Sequence, residues 1–375
     1  MSSKNFFNKQ SDLTASKILI YRKYLSDYLP KILMQYGRCY IADFFCGCGK
    51  NGQEDGSPLV LIDVAKKILE SPILKSKHSN IEIVIVFSDE NKNCCDDLML
   101  QLKTISVPKQ IKVLGPYQEG FSSIKEKDLD IFNNNNKTPK FFFLDPFAYS
   151  DVKIDDVKKL MNLPSAEVLL FLPTFHSYRF AEYEYKPEAL KNFLKNFSEK
   201  GDSANYRDIN DFNESIRQKL LKYICLKYVR SVGLDDGAKK NALFYLTKHI
   251  TGMLLINDLV WKYSHDGRMV KAKRDNNLVL FNLPKISANY QKIKDYFIEN
   301  IKEKKRLTNV EIIDFTTQIG FCTKYAREIL KEMEENGSIY VTYKKINKKK
   351  GFYVSNDNWN NELATIIYIG DKNGK

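Results

Sequence analysis

The 375-residue sequence predicts an α/β protein with a parallel sheet, followed by a smaller basic domain. Three observations carry this reading. Short apolar runs alternate with stretches that can each hold a helix, the signature of parallel strands joined by crossovers. The first run leads directly into a glycine-rich turn, "ADFFCGCG" at 42–49. Beyond about residue 285 the pattern changes to amphipathic helical segments and a lysine-rich hairpin.

Segment 11–36 has Ile18, Tyr21, Leu25, Tyr28 and Leu29 at helical spacing, with Thr14 as a candidate N-cap. It reads as a helix that precedes the sheet. "CYIADFF" (39–45), bounded by Gly37 and Gly47, has the form of a buried strand. Further strands are expected at 81–88, 111–115, 141–145 and 167–172. From 181 to 284 the pattern reads as mostly helical, with "ESIRQKLLKYICLKYVRSVG" and "NALFYLTKHITGMLLINDLVWKY" as the clearest helices of a covering layer.

Residues 285–355 follow their own plan. A helix, "YQKIKDYFIENI", precedes a capping box formed by Thr308 and Glu311. Thr323 then opens a third helix with an apolar stripe of Ala326, Ile329, Leu330 and Met333, stopped by Gly337. "SIYVTY" and "GFYVS" would pair across "KKINKKK". Three helices and a basic hairpin describe a winged helix. The predicted organisation is an α/β domain over 1–284 (core 37–180, helical layer 181–284), a winged helix over 285–355, and a tail over 356–375.

Composition limits the function. Apolar residues make up 43% and aromatics 13%, so the chain folds around a core. No apolar run reaches membrane-spanning length and the start lacks a signal-peptide core, so the expected location is cytoplasmic. Seven scattered cysteines are then expected as reduced thiols. Cys46 and Cys48 are one residue apart and the four histidines form no ligand pattern, so no metal is expected. The net charge of +13 points to a polyanionic partner, most plausibly nucleic acid. Between 285 and 355 there are 15 Lys or Arg against 9 Asp or Glu. Lys344, Lys345, Lys348, Lys349 and Lys350 would meet phosphates at the wing tip. Lys324, Tyr325, Arg327, Glu328 and Lys331 would face outward from the third helix toward base edges.

The chemistry-bearing residues fall at predicted strand ends. Asp43, Phe45, Gly47 and Gly49 form a D-x-x-x-G-x-G turn, in which glycine lets backbone approach a ligand closely. It has the shape of the first motif of S-adenosylmethionine-dependent methyltransferases. The second strand ends at Asp89 and Glu90, either of which would accept ribose hydroxyls. The gap from Gly49 to Asp89 is about twice the usual ~20 residues, so an insertion separates the first two strands. "VLGPYQEGF" after the third strand would meet an adenine. The fourth strand delivers Asp145, Pro146 and Phe147. A carboxylate and a proline carbonyl accept hydrogen bonds from an exocyclic amine, and an aromatic ring stacks on the presented base.

Taken in order, "YIADFFCGCG", "EDGSP", "VFSDENK", "FFFLDPFAY" and "EVLLFLPTFHSYRF" resemble the three-Cys-motif partner protein family. The resemblance spans about 14–265. It implies a Rossmann-like, class I methyltransferase-type domain with S-adenosylmethionine as cofactor, a C-terminal winged helix, and a neighbouring partner that is a three-cysteine, radical-S-adenosylmethionine-like protein. Carried over by position, Asp43, Gly47 and Gly49 belong to the cofactor loop, Asp89 to the ribose, and Asp145, Pro146 and Phe147 to the catalytic face. Asp55, Gly56, Ser57 and Pro58 match the family's "DGSP" element, and Arg179 matches an arginine after the fifth strand with a substrate or a structural role. The usual amino-methyltransferase tetrapeptide is D/N-P-P-Y/F; D-P-F-A here brings the aromatic one position early. The expected activity is methyl transfer to a nucleic-acid amine. The alternatives are a nucleic-acid-binding adaptor that serves a partner enzyme, and a small-molecule methyltransferase.

Overall fold

The computed structural model describes residues 12–77, 80–123, 130–133, 137–202, 205–235, 240–264, 266–270, 287–344 and 350–370. The chain divides into two compact units, one of Met1–Lys248 with Val270–Val279 and the other of His249–Met269 with Leu280–Lys375. Among the described residues no helix is long and apolar enough to cross a membrane.

The first unit is built on an eight-stranded sheet. Its strands are β1 (Arg38–Asp43), β2 (Glu82–Asp89), β3 (Ile111–Gln118), β4 (Lys140–Leu144), β5 (Ala166–Leu172), β6 (Tyr228–Asp235), β7 (Lys240–Thr247) and β8 (Met269–Val270). They lie in the order β3-β2-β1-β4-β5-β7-β6-β8. From β3 to β5 every pairing is parallel. β7 then runs antiparallel to both β5 and β6. This is a mostly parallel, Rossmann-like sheet, and its five N-terminal strands are the five expected from the apolar runs.

Two strands were hidden in segments that read as helices. "YVRSVGLD" forms β6 because α7 (Ile209–Ile224) ends on Cys225 in the left-handed region at φ 60°, which halts the helix before Tyr228. "KNALFYLT" forms β7, buried on both faces between β5 and β6. A strand covered on both faces has no alternation, so its apolar run merges with the following helix in sequence.

Thr14 lies within helix α1 (Asp12–Tyr36) and is not its N-cap. Its buried face carries Tyr21, Tyr24, Tyr28, Leu29 and Leu33. Tyr21 stacks on Phe143 and Tyr24 on Phe141, at centroid separations of 4.4 and 5.3 Å. Each such ring contributes about 1.5–3 kcal/mol through burial, and together they fix the helix on β4. Below them Glu167 accepts from Tyr24 and from Thr247, so a buried acid ties α1, β5 and β7. The remaining helices that bear on the site are α2 (Ser57–Leu69), α3 (Lys92–Thr104), α4 (Ile154–Asn162), α5 (Thr174–Phe180) and α6 (Glu188–Phe197).

The second unit contains α8 (Ile250–Tyr263), α9 (Ala288–Lys304), α10 (Asn309–Gln318) and α11 (Thr323–Glu335). A three-stranded antiparallel sheet has β9 (Arg306–Thr308), β10 (Ile339–Tyr343) and β11 (Ala364–Tyr368) in the order β9-β11-β10. The capping box of Thr308 and Glu311 forms as expected. Two expectations are corrected. The strand that pairs with "SIYVTY" is Ala364–Tyr368, from the predicted tail, and not "GFYVS". The boundary at 284–285 also moves, because α8 belongs to this unit and not to a layer on the first. Trp261 of α8 donates to the Gly320 carbonyl at 2.8 Å, and its ring meets Phe321 and Tyr325. Asn257 donates to the Thr317 carbonyl at 3.0 Å. An apolar helix of this kind serves either unit equally well by pattern alone.

Candidate active site

Strand order reverses on either side of β1, which pairs with β2 on one edge and β4 on the other. Open α/β sheets bind ligands at such a switch point, outside the carboxyl ends of the strands. Here each of the three adjacent strands delivers an acid to that edge: Asp43 ends β1, Asp89 ends β2, and Asp145 follows β4.

The glycine loop after β1 is held from several sides. Gly47 has φ 61° and Gly49 φ 83°, conformations open to glycine. A Cβ on Gly49 would lie 2.8 Å from Gln101 Oε1 and 3.0 Å from Leu98 Cδ1 of α3. Gln101 in turn donates to the Cys48 carbonyl at 2.7 Å. Gly47 N–H donates to Asp89 Oδ2 at 2.8 Å, while Asn91 N–H donates to Oδ1 at 2.9 Å. Both oxygens of Asp89 therefore hold backbone, and the residue is buried. Its neighbour Glu90 is exposed, with Oε2 3.4 Å from where a Gly120 Cβ would be. Of the two acids expected to meet a ribose, Asp89 clamps the loop and Glu90 stands open.

The expectation of reduced thiols needs correction at one pair: Cys48 of the loop and Cys94 of α3 are joined by a disulfide. They are 46 residues apart in sequence, and no spacing signal connects them. Cys46 is a buried free thiol, pushed up by burial and by Asp43 and Asp89.

The "DGSP" element supports this loop. Gly56 N–H donates to the Gly49 carbonyl at 2.7 Å, and a Cβ on Gly56 would meet that oxygen at 2.9 Å. Ser57 and Pro58 open α2 and are buried, while Asp55 is exposed. Ser57 acts to lower the pKa of the Asp43 carboxyl. Phe45 N–H donates to Asp43 Oδ1 at 3.3 Å, and the Phe45 ring leans on Phe121. Asp43 is 0% exposed, and its Oδ2 has no partner. Burial first, then the charges of Asp145 and Asp89, push its carboxyl up to about 7 despite the opposing effect of Ser57 and the Phe45 bond.

Beyond β4, Pro146 is buried and Phe147 is 80% exposed at the sheet edge. Asp145 is not an open acceptor. Lys17 of α1 places Nζ 2.6 Å from Oδ1 and 2.5 Å from Oδ2, while lying 4.4 Å from the centroid of the Phe171 ring. Lys17 is 8% exposed. It is the residue that pattern reading missed, although it shares a helical face with Tyr21, Tyr24 and Tyr28. A cation inside an apolar stripe is the signal that would have found it. Arg179, in the last turn of α5, is exposed with its guanidinium over the Phe180 ring at 5.7 Å, and among the described residues it forms no ion pair.

In the second unit, a cavity of about 430 Å³ is lined by Trp261, Lys262, Thr323, Lys324 and Arg327. Lys324 and Arg327 are exposed as expected. Tyr325 is not, because its ring packs on Trp261 and Phe321 at 5.2 and 5.4 Å. Lys331 pairs with Glu335 at 3.5 Å and Lys344 with Glu362 at 2.9 Å. Lys350 is exposed. Lys345, Lys348 and Lys349 lie outside the described residues.

The strand order defines a Rossmann-like α/β unit with three acids at its switch point. No protein-family model and no curated protein matches the chain. Solved structures similar to it include the plantazolicin methyltransferase BpumL in complex with a pentazolic desmethylPZN analog and SAH, at 10% identity and TM-score 0.33 over 66% of this chain and 90% of that one. Spermidine synthase from Thermotoga maritima follows at 10% identity and TM-score 0.31, over 71% and 72%. MNMC2 from Aquifex aeolicus has 11% identity and TM-score 0.30, over 74% and 70%. The assignment of the fold rests on the strand order of the chain itself.

Proposed function

We propose that this protein is an S-adenosylmethionine-dependent methyltransferase acting on nucleic acid, with an exocyclic base amine as acceptor. The observation that carries the proposal is the convergence of a clamped glycine loop, a buried acid with one oxygen left without a partner and the Asp145-Pro146-Phe147 turn at one switch point. The residues fit the cofactor. Glu90 is placed for ribose hydroxyls, and Asp43 with the Gly47 loop is placed for the amino-acid end. S-adenosylmethionine supplies the electrophilic methyl group. The chain's residues supply position, which accounts for much of the rate in such transfers. Asp145, held by Lys17, and the Pro146 carbonyl accept the two N–H bonds of the amine and aim its lone pair. Phe147 offers a ring to a base taken out of its stack, a contact of about 1–3 kcal/mol.

The second unit supports the nucleic-acid part of this reading. Its order of helix, strand, two helices and two strands is that of a winged helix, and Lys324, Arg327 and Lys350 are exposed on it. Partnership with a three-cysteine protein remains part of the proposal on resemblance alone.

Transfer of a labelled methyl group from S-adenosylmethionine to pooled DNA and RNA tests the proposal. We expect label in one pool, lost at least a hundredfold in Asp145→Ala and roughly 5- to 150-fold in Phe147→Ala, with both variants still folded. One observation favours the adaptor alternative: Asp145 already has a partner in Lys17. Nucleic-acid binding without any transfer, unchanged by Asp145→Ala, would establish the adaptor and remove the enzyme.

A further inference from the structure

We infer that Cys48 and Cys94 form a thiol–disulfide exchange site that controls the glycine loop, with a dithiol as its reactant; the effect on ligand affinity rests on the cofactor reading above. The disulfide joins the loop to the first turn of α3. Five of the seven cysteines remain free thiols, so this is a single local link and not part of a disulfide scaffold. Position sets which sulfurs react. Cys48 and Cys94 are half-buried and within reach of a small thiol, whereas Cys46 and Cys95 close to them in the chain are buried.

The exchange is a two-electron reduction of the protein. A thiolate of the dithiol attacks the Cys48 sulfur, the S–S bond breaks, and the electron pair leaves on the Cys94 sulfur, which takes up a proton. That sulfur departs at the N-terminus of a 13-residue helix whose first turn carries no acid, where negative charge is favoured. The second thiolate of the dithiol then attacks the reductant sulfur bound to Cys48, releases Cys48 as a thiol and closes the reductant into a cyclic disulfide. A small-molecule disulfide reverses the reaction and is reduced to its thiols.

Opening the link changes what holds the loop. Gly49 packs on α3, since a Cβ there would lie 2.8 Å from Gln101 Oε1 and 3.0 Å from Leu98 Cδ1, and Gln101 donates to the Cys48 carbonyl at 2.7 Å. Gly47 has open space instead: a Cβ there would meet nothing within 4 Å. With the bond closed, Cys48 is held against α3. With it open, only hydrogen bonds and packing oppose movement toward that space. The closed link therefore keeps the loop in one conformation before a ligand arrives, and preorganisation raises affinity.

The full chain is prepared oxidised with glutathione disulfide and reduced with dithiothreitol, and denatured samples are alkylated for mass spectrometry. Five alkylated cysteines are expected in the oxidised form and seven in the reduced form, the difference mapping to Cys48 and Cys94. S-adenosylhomocysteine should bind the oxidised form about tenfold more tightly, and amide exchange over 44–50 should be slower in it. Cys48→Ser and Cys94→Ser should behave as the reduced form under both conditions, while Cys225→Ser, at an exposed free thiol, keeps the response. Seven alkylated cysteines in both samples, equal affinity in two forms that both bind, or a response that persists in Cys94→Ser overturns the proposal. Failure of both forms to bind S-adenosylhomocysteine overturns the cofactor reading. Slower exchange of the loop in the oxidised form then still upholds the switch, and equal exchange overturns it as well.

Discussion

Asp89 and Glu90 are adjacent acids with separable tasks, and replacing each by alanine should show it. Asp89→Ala removes two charge-assisted bonds, from Gly47 N–H at 2.8 Å and Asn91 N–H at 2.9 Å. Bonds to charged groups are worth about 1.5–3 kcal/mol each, and both of these are only partly buried. Partial entry of water brings the expected cost to the low end of the sum, about 3 kcal/mol. Glu90 is exposed, and such a substitution changes stability by about 0.5 kcal/mol or less. Urea denaturation should be followed by far-ultraviolet circular dichroism, because both tryptophans, Trp261 and Trp359, lie in the second unit. S-adenosylhomocysteine titration then completes the contrast: Glu90→Ala should cost roughly tenfold in affinity with stability intact, as expected for a lost polar contact. Asp89→Ala should lose both. Equal stability of the two variants would refute the loop-clamp assignment.

Three further outcomes follow from the geometry. Burial raises the Asp43 carboxyl from 3.8 to about 7, so the folded state holds its proton more tightly than the unfolded chain. The stability this contributes is complete below the unfolded value of 3.8 and is lost as pH rises through about 7. Denaturation midpoints should therefore fall across that window, and Asp43→Asn should flatten the slope by up to one proton. Trp261→Ala should destabilise the second unit by about 3–5 kcal/mol, read from Trp359 fluorescence in urea; an unchanged midpoint would return α8 to the first unit. Phe147→Ala should leave thermal stability alone, since the ring is 80% exposed, while slowing transfer roughly 5- to 150-fold.

Much of the first unit was legible because its central strands are short, apolar and punctuated by glycine or acid. Asp43, Gly47, Gly49, Asp89 and Asp145 fall at strand ends where the runs stop, so their convergence could be read from order alone. What escaped depends on contacts across distance. The Lys17 and Asp145 pair spans 128 residues, and the Cys48 and Cys94 link spans 46. β7 escaped because burial on both faces erased its alternation, and α8 because an apolar helix does not declare which core it fills. In the second unit, "GFYVS" and "ATIIY" are equally strand-like; the register chosen pairs Ile339 with Tyr368 and Val341 with Ile366.

The most direct measurement is calorimetric titration of the full chain with S-adenosylmethionine and S-adenosylhomocysteine. Binding of both at a single site, weakened in Glu90→Ala, is the predicted result. A folded protein that binds neither, with or without nucleic acid present, would contradict the account.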